Sequence, residues 1–185
     1  MISTLNIRGR RNFLWDAQAV HRTLAHAADG EKLLWAVPDK THLVVRHEHP
    51  IDWASSLGRN LHQATTIEED NPITGEHVFY ALIANPTIAK SRGAGKRGIV
   101  QPLPESEWHT WAHCKLSDAL NIHTMGIAHL PAAVGKKKDR TVTHTRIIIT
   151  GHATVRNADT LQALKEHGIG RGKAYGCGLL LTETQ

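Results

Sequence analysis

The chain has 185 residues, a length that suits one large domain or two small ones and excludes a multidomain machine. Apolar residues make up 41% and charged residues 21%, enough apolar side chain to bury a core, which excludes a disordered tail protein. Lys and Arg outnumber Asp and Glu 22 to 17, with 14 His beside them, for a formal charge of +5; an anionic partner suits that balance. No apolar run approaches the ~18 residues of a membrane helix, and the start Met1-Ile2-Ser3-Thr4 lacks the regions of a signal peptide, so a cytoplasmic protein without a membrane partner is expected. Cys114 and Cys177 are too few for a disulfide framework and are expected as buried thiols.

In chain order, residues 2–7 alternate enough for a strand. Asp16 then precedes a helical pattern with Val20, Leu24 and Ala27 on one side, and is its expected N-cap. Residues 32–37 and 42–46 are apolar, β-branched runs separated by Pro38-Asp39-Lys40, which reads as a hairpin. A short helix is expected from Asp52, and residues 77–84 (HVFYALIA), closed by Asn85-Pro86, form a strand. This β-α-β-β-α-β order is the ferredoxin-like arrangement. Residues 86–104, rich in Gly, Lys, Arg and Pro and without periodicity, read as a linker with a basic loop. Beyond them, residues 105–120 carry Trp108, Trp111, Ala112 and Leu116 at helical spacing. A strand is expected over 121–130, and residues 143–155 make a long strand interrupted at Gly151. Asp159 and Gln162 form a capping box for a helix that stops at Gly168, and residues 177–182 close the chain as a strand. The expected fold class is α+β, two tandem ferredoxin-like domains without visible identity between them: residues 1–88, a basic linker at 89–104, and residues 105–185.

Charge is unevenly spread. Residues 29–77 hold nine acids and four bases, whereas 86–101 hold Lys90, Arg92, Lys96 and Arg97 and no acid. Residues 134–156 hold Lys136, Lys137, Lys138, Arg140, Arg146 and Arg156 against Asp139 alone. Such density suits a phosphate backbone; a solvated basic face is the alternative. Residues 167–178 (HGIGRGKAYGCG) place five glycines in eleven positions from Gly168. Glycine tolerates positive φ and lets a backbone or a phosphate approach closely. A dinucleotide fingerprint fails, because Gly168 and Gly170 are followed by Lys173 and the loop follows a helix rather than opening one. A Walker loop fails too, needing glycine at His167 and Ser or Thr at Ala174. What remains is either a loop with Gly168, Gly170, Arg171, Gly172 and Lys173 set to meet phosphates, or a plain helix stop and tight turn.

His42, His47 and His49 resemble a metal cluster by count. Strand alternation, however, sends His42 and His47 to opposite faces, and no Cys or carboxylate completes a tetrahedral set, so no metal site is expected. There is no G-x-S-x-G and no H-E-x-x-H, which leaves acyl transfer and metalloprotease chemistry without support. His21 lies beside the Val20, Leu24 and Ala27 stripe, with Gln18, Arg22 and Ala25 on its flank. At such a cleft edge an imidazole titrating near neutrality can exchange protons; a half-buried histidine filling a helix margin is the alternative.

Three stretches taken together, GIGRGKAYGCGLL at 168–180, HRTLAHA at 21–27 and Ala84-Asn85-Pro86 between them, resemble the CasE family, the type I-E CRISPR repeat-processing endoribonucleases, and the likeness spans the chain. The resemblance implies two tandem ferredoxin-like domains and a metal-independent, cofactor-free endoribonuclease. It would cut CRISPR precursor RNA at the base of each repeat stem-loop and stay with the guide RNA beside the other Cascade subunits, being a monomer when free. The catalytic histidine implied is His21. A cationic position five residues later falls on His26, about 140° round an ideal helix. A basic hairpin gripping the RNA stem falls on Lys136, Lys137, Lys138 and Arg140, with Arg146 in the same basic stretch.

Two departures stand out. The tyrosine that some relatives carry three residues before the histidine is Gln18, a loss that Tyr175 or Arg22 would have to offset. The relatives' F-R-L-R-A-N-P strand end is Phe79-Tyr80-Ala81-Leu82-Ile83-Ala84-Asn85-Pro86 here, both arginines being absent, with Lys90 and Arg92 in the loop beyond as the expected compensation. The expected function is therefore repeat-RNA cleavage. A hairpin-holding subunit of the same assembly with little activity, and a nucleic-acid module outside CRISPR biology, are the alternatives.

Overall fold

The run ISTLNI forms β1 (Ile2–Ile7) and turns Leu5 and Ile7 into the interior, since alternate residues of a strand face opposite sides. The computed structural model describes residues 1–8, 13–14, 16–93, 95–96, 98–137 and 140–185, with Lys136, Lys137 and Arg140 described in their backbone. After β1 come α1 (Ala17–Ala27), β2 (Leu34–Ala36), β3 (His42–Arg46), α2 (Trp53–Leu57) and β4 (Leu61–Ile67). The strands pair antiparallel in the order β2-β3-β1-β4, which is the ferredoxin-like order. The Asp16 carboxylate accepts hydrogen bonds from the amides of Gln18 and Ala19 at 3.0 and 3.1 Å and so caps α1 as expected. Ala17, Val20 and Leu24 of that helix are buried against Leu5, Val45, Trp53 and Leu57.

The second domain repeats the plan. β5 (His77–Ala84) leads to a two-stranded ribbon, β6 (Thr87–Lys90) with β7 (Ile99–Pro102). Then follow α3 (Trp108–Leu116), β8 (Leu120–Ile122), β9 (Gly126–Lys137), β10 (Arg140–Val155), α4 (Ala158–His167) and β11 (Leu179–Thr184). The sheet order is β11-β5-β10-β8, with β9 also paired along β10. Trp108, Ala112 and Leu116 of α3 and Leu161 of α4 join Tyr80, Leu82, Ile147 and Ile149 in its core. The domains meet where Leu34 and Ala36 of β2 pack with Ile83 of β5 and Leu179 of β11.

Several expectations are corrected. The strand at 77–84 is not the last of the first domain but the first of the second, bonded on both sides to β10 and β11. The first domain closes instead with β4, an edge strand exposed along almost its whole length, whose LHQATTI pattern carries little apolar signal. The stretch at 89–104 is not a linker but largely the β6–β7 ribbon and the approach to α3. β10 runs unbroken through Gly151, which is glycine because a Cβ there would lie 1.9 Å from the carbonyl oxygen of Thr124. The cap of α4 is Asn157, whose side chain accepts from the Thr160 amide at 2.8 Å, rather than an Asp159 box. Cys177 is buried, and burial pushes its thiol up to about 12, but Cys114 is exposed.

One polar clasp joins the domains. Arg46 on β3 donates through Nε to Glu69 Oε2 at 2.7 Å and through Nη1 to the carbonyl of Lys165 on α4. The Lys165 ammonium, 1% exposed, lies 3.1 Å from Glu69 Oε1 and donates to the carbonyl of Asp70. Burial pushes the Lys165 ammonium below its ordinary range, and the Glu69 charge pulls it back. Glu69→Ala strands two cations in a low-dielectric seam, for which a cost of about 3–5 kcal/mol is expected in urea unfolding; a change below about 1 kcal/mol would mean that water solvates the clasp.

Candidate functional site

α1 presents His21, Arg22 and His26 to solvent, all three exposed. Its first turn is held from two sides. Gln18 donates through Nε2 to the Tyr175 hydroxyl at 3.3 Å, and Asp16 forms a parallel bridge to Val134 of β9. Gly135 completes the junction, since a Cβ there would stand 2.8 Å from Gln18 Cγ and 2.8 Å from Tyr175 Cε1. The start of the helix, the 3-10 turn Lys173–Tyr175 and β9 therefore meet at one place. From it β9 continues to Lys136 and Lys137, which pair with Thr141 and Arg140 of β10. The expected basic hairpin thus rises from the foot of α1; Lys138 and Asp139 lie outside the described residues, as does Arg97.

The glycine loop owes its composition first to packing. Gly176 has φ of 73°, and a Cβ on it would lie 2.7 Å from the six-membered ring of Trp35. Gly168 would press a Cβ onto Leu34 at 2.8 Å. Gly172, at φ of 85°, accepts through its carbonyl oxygen from the Tyr175 amide at 2.8 Å and so closes the turn that sets the phenol. The loop is therefore a template locked against the first domain, and the cationic side chains it carries are Arg171, exposed, and Lys173, half-buried. Burial, and then the charge of Lys32, lowers the Lys173 ammonium from its ordinary range.

A groove of about 470 Å³ lies between this loop and the β6–β7 ribbon, with Asn85, Gln101, His144, Arg171, Lys173 and Tyr175 among its walls. His144 packs on the Tyr175 ring with centroids 4.3 Å apart, and its Nδ1 lies 2.9 Å from Asn85 Nδ2. Burial lowers the His144 imidazole from its usual value. Sequence reasoning missed His144, for the pair it makes with Asn85 spans 59 positions and leaves no local pattern. Lys90 and Arg92 are exposed at the far end of β6 and just past it.

Arg146 is corrected. It is 7% exposed, donating to the carbonyls of Pro131 at 2.8 Å and Val37 at 3.2 Å, so it ties the domains together rather than facing a ligand. It borders an apolar cavity of about 430 Å³ lined by Leu14, Ala17, Trp35, Val37 and Tyr175. The clustered histidines go separate ways. His42 pairs with Asp39 at 2.8 Å, while buried His47 accepts from the Ser3 hydroxyl at 2.7 Å and donates to the carbonyl of His49. Glu31, Glu48 and His49 do bring one donor atom each within 4.8 Å of one another, and Glu31 is already engaged by the backbone amides of Glu48 and His49.

Residues 3–183 match the family model described as CRISPR associated protein. The chain belongs to that family. No curated protein sequence matches it significantly. Among solved structures the CRISPR-associated fold resembles a CRISPR endoribonuclease Cse3 bound to 19-nucleotide RNA, at 21% identity and a TM-score of 0.81 over 98% of this chain and 99% of that one. It also resembles the CRISPR-associated protein Cas6e from Escherichia coli K-12, at 21% identity and TM-score 0.73 over 100% and 99%. A chain of a CRISPR RNA-guided surveillance complex matches at 21% identity and TM-score 0.72 over the full length of both. The tandem ferredoxin-like fold is thus shared throughout. In this CRISPR-associated chain, Gly176→Ala meets both a left-handed backbone and the Trp35 ring; a loss of more than about 1–2 kcal/mol is expected in thermal or urea unfolding. Unchanged stability would mean that the loop is not locked.

Proposed function

We propose that this protein is an endoribonuclease that cuts CRISPR precursor RNA once in each repeat, at the base of the stem-loop, and then holds the mature guide RNA within a Cascade assembly in the cytoplasm. The observation that carries the reading is the junction of α1 with Tyr175 and the foot of the β9–β10 hairpin, which joins the helix that bears the exposed His21 to the strand leading into the basic stretch. The structural relatives, one an endoribonuclease bound to RNA and another part of an RNA-guided surveillance complex, support it.

RNA carries its own nucleophile. The 2′-oxygen attacks the adjacent phosphorus, the 5′-oxygen leaves, and the products end in a 2′,3′-cyclic phosphate and a 5′-hydroxyl. The protein has to hold the 2′-oxygen in line and move protons, which calls for no resident cofactor or metal. His21, one turn beyond Gln18, takes the 2′-hydroxyl proton or protonates the leaving 5′-oxygen. Arg22, next on the helix, is placed to offset charge on the phosphorane, and His26 stands about 140° round from His21, on another side. The stem is gripped by Lys136, Lys137, Lys138 and Arg140, because A-form RNA offers its backbone and shape more readily than its base edges. Lys90, Arg92, Arg171 and Lys173 extend the basic surface.

A second reading is favoured by one observation. Gln18 stands where a phenol would assist, and its amide engages the phenol of Tyr175 instead, which suits a subunit that holds the hairpin and cleaves little. One comparison separates the two. Repeat RNA incubated in EDTA is expected to be cut at one site by the parent protein, about 10²- to 10⁴-fold more slowly by His21→Ala, and not at all when the cut position lacks its 2′-hydroxyl. Tight binding without cleavage by the parent protein supports the second reading, and equal binding of an unrelated stem-loop of the same length sinks both. Replacing Lys136, Lys137, Lys138 and Arg140 by Ala should flatten the slope of log affinity against log salt by about 3, at roughly 0.7–0.9 per phosphate; an unchanged slope removes the hairpin from the interface.

A further inference from the structure

The groove between the glycine loop and the β6–β7 ribbon holds a polar atom that the mechanism above does not use. Asn85, 3% exposed, reaches His144 Nδ1 with its amide nitrogen at 2.9 Å. With the Asn85 amide nitrogen as the group facing the ring, Nδ1 is the acceptor and the ring proton is assigned to Nε2. Nε2 has no hydrogen-bond partner among the described residues, and the ring lines the groove. Tyr175 fixes its plane, with centroids 4.3 Å apart and an interplanar angle of 54°. The same groove is lined by Arg171, Lys173 and Tyr175, which bring a guanidinium, an ammonium and a phenol ring to its walls. That set of groups matches an unpaired nucleotide, which is recognised by stacking, by cations at its phosphate and by hydrogen bonds to its exposed edges. At about 470 Å³ the groove has the size of a small-molecule site and does not admit a duplex.

Resting on the reading of the chain as an RNA-binding endoribonuclease, we propose that this groove binds one unpaired nucleotide flanking the repeat hairpin, with His144 Nε2–H as the fixed donor to an acceptor atom of that nucleotide. Burial lowers the imidazole from its ordinary value and so favours the uncharged ring, in which His144 serves as a hydrogen-bond donor rather than a phosphate counterion. This separates it from Arg171 and Lys173 on the same walls: losing a cation weakens binding through the salt dependence, whereas losing an uncharged donor weakens binding equally at every salt concentration.

Two measurements test the proposal. The first uses the free protein: nitrogen-15 NMR of His144 is expected to show the Nε2–H tautomer, and Asn85→Asp, whose carboxylate accepts, is expected to move the proton to Nδ1. Observation of Nδ1–H in the parent protein overturns the donor assignment without involving RNA. The second measures binding of repeat RNA by anisotropy over a salt series, in a His21→Ala background that leaves the RNA uncut. His144→Phe is expected to weaken binding about five- to tenfold with an unchanged salt slope, and His144→Gln, which keeps a donor, to restore most of it. Arg171→Ala in the same series is expected to flatten the slope by roughly 0.7–0.9. Trimming the flanking nucleotides should abolish the difference between parent and His144→Phe. Unchanged affinity of a folded His144→Phe, a flattened slope, or an equal loss on the trimmed hairpin overturns the proposal. Failure of the parent to bind repeat RNA at all overturns the functional reading and this one with it, the tautomer result being unaffected.

Discussion

A tryptophan ring resting on a glycine sets the geometry of everything else. Trp35 belongs to β2 of the first domain, and its ring occupies the space that any side chain at position 176 would fill. Only with that contact made can the turn of residues 173–175 carry Tyr175 across to Gln18. The helix that bears His21 and the strand that leads to the basic hairpin are thereby referred to the same phenol. The Arg46–Glu69–Lys165 clasp and the Arg146 tie to Val37 lie along the same domain boundary, so it is fixed by apolar packing, by charge and by backbone carbonyls together.

This rigidity bears on chemistry. Ribose-assisted cleavage asks little of a protein in the way of reactive groups but much in the way of alignment, because attack proceeds only when nucleophile, phosphorus and leaving oxygen are collinear. A single imidazole on a solvent-facing helix turn suffices if the RNA is held from elsewhere. On the proposed reading, the basic hairpin that continues from Gly135 beside Tyr175 and the groove that Tyr175 lines would supply two separate holds, one suited to a paired stem and one to an unpaired residue.

The domain plan is legible because strands such as β1 and β5 and the two longest helices carry the pattern their packing demands, as Val20 and Leu24, with the Asp16 cap, do for α1. β4 is not, since an edge strand with both faces wet needs no apolar alternation, and without it the strong HVFYALIA run reads as the closing strand of the first sheet. The ribbon at 87–102 was hidden for the same reason: Ile88, Ile99 and Val100 remain exposed, so no core dictates their spacing. In the candidate site, His21 and the basic hairpin belong to motifs that are contiguous in sequence, which is why the sequence alone can offer them as candidates. Arg146 could not be distinguished from its basic neighbours, because what buries it is the first domain. His144 shares that obscurity, its two partners lying at positions 85 and 175.

The difference between the two cysteines makes the unmodified chain convenient to instrument. Cys177, enclosed and held as the protonated thiol, is inert toward alkylating reagents at neutral pH, whereas Cys114 stands in the open on α3, outside the α1–Tyr175 junction. A maleimide dye offered to the folded protein therefore attaches at one position, and the wild-type molecule can report its encounters by fluorescence without a cysteine having to be introduced or removed.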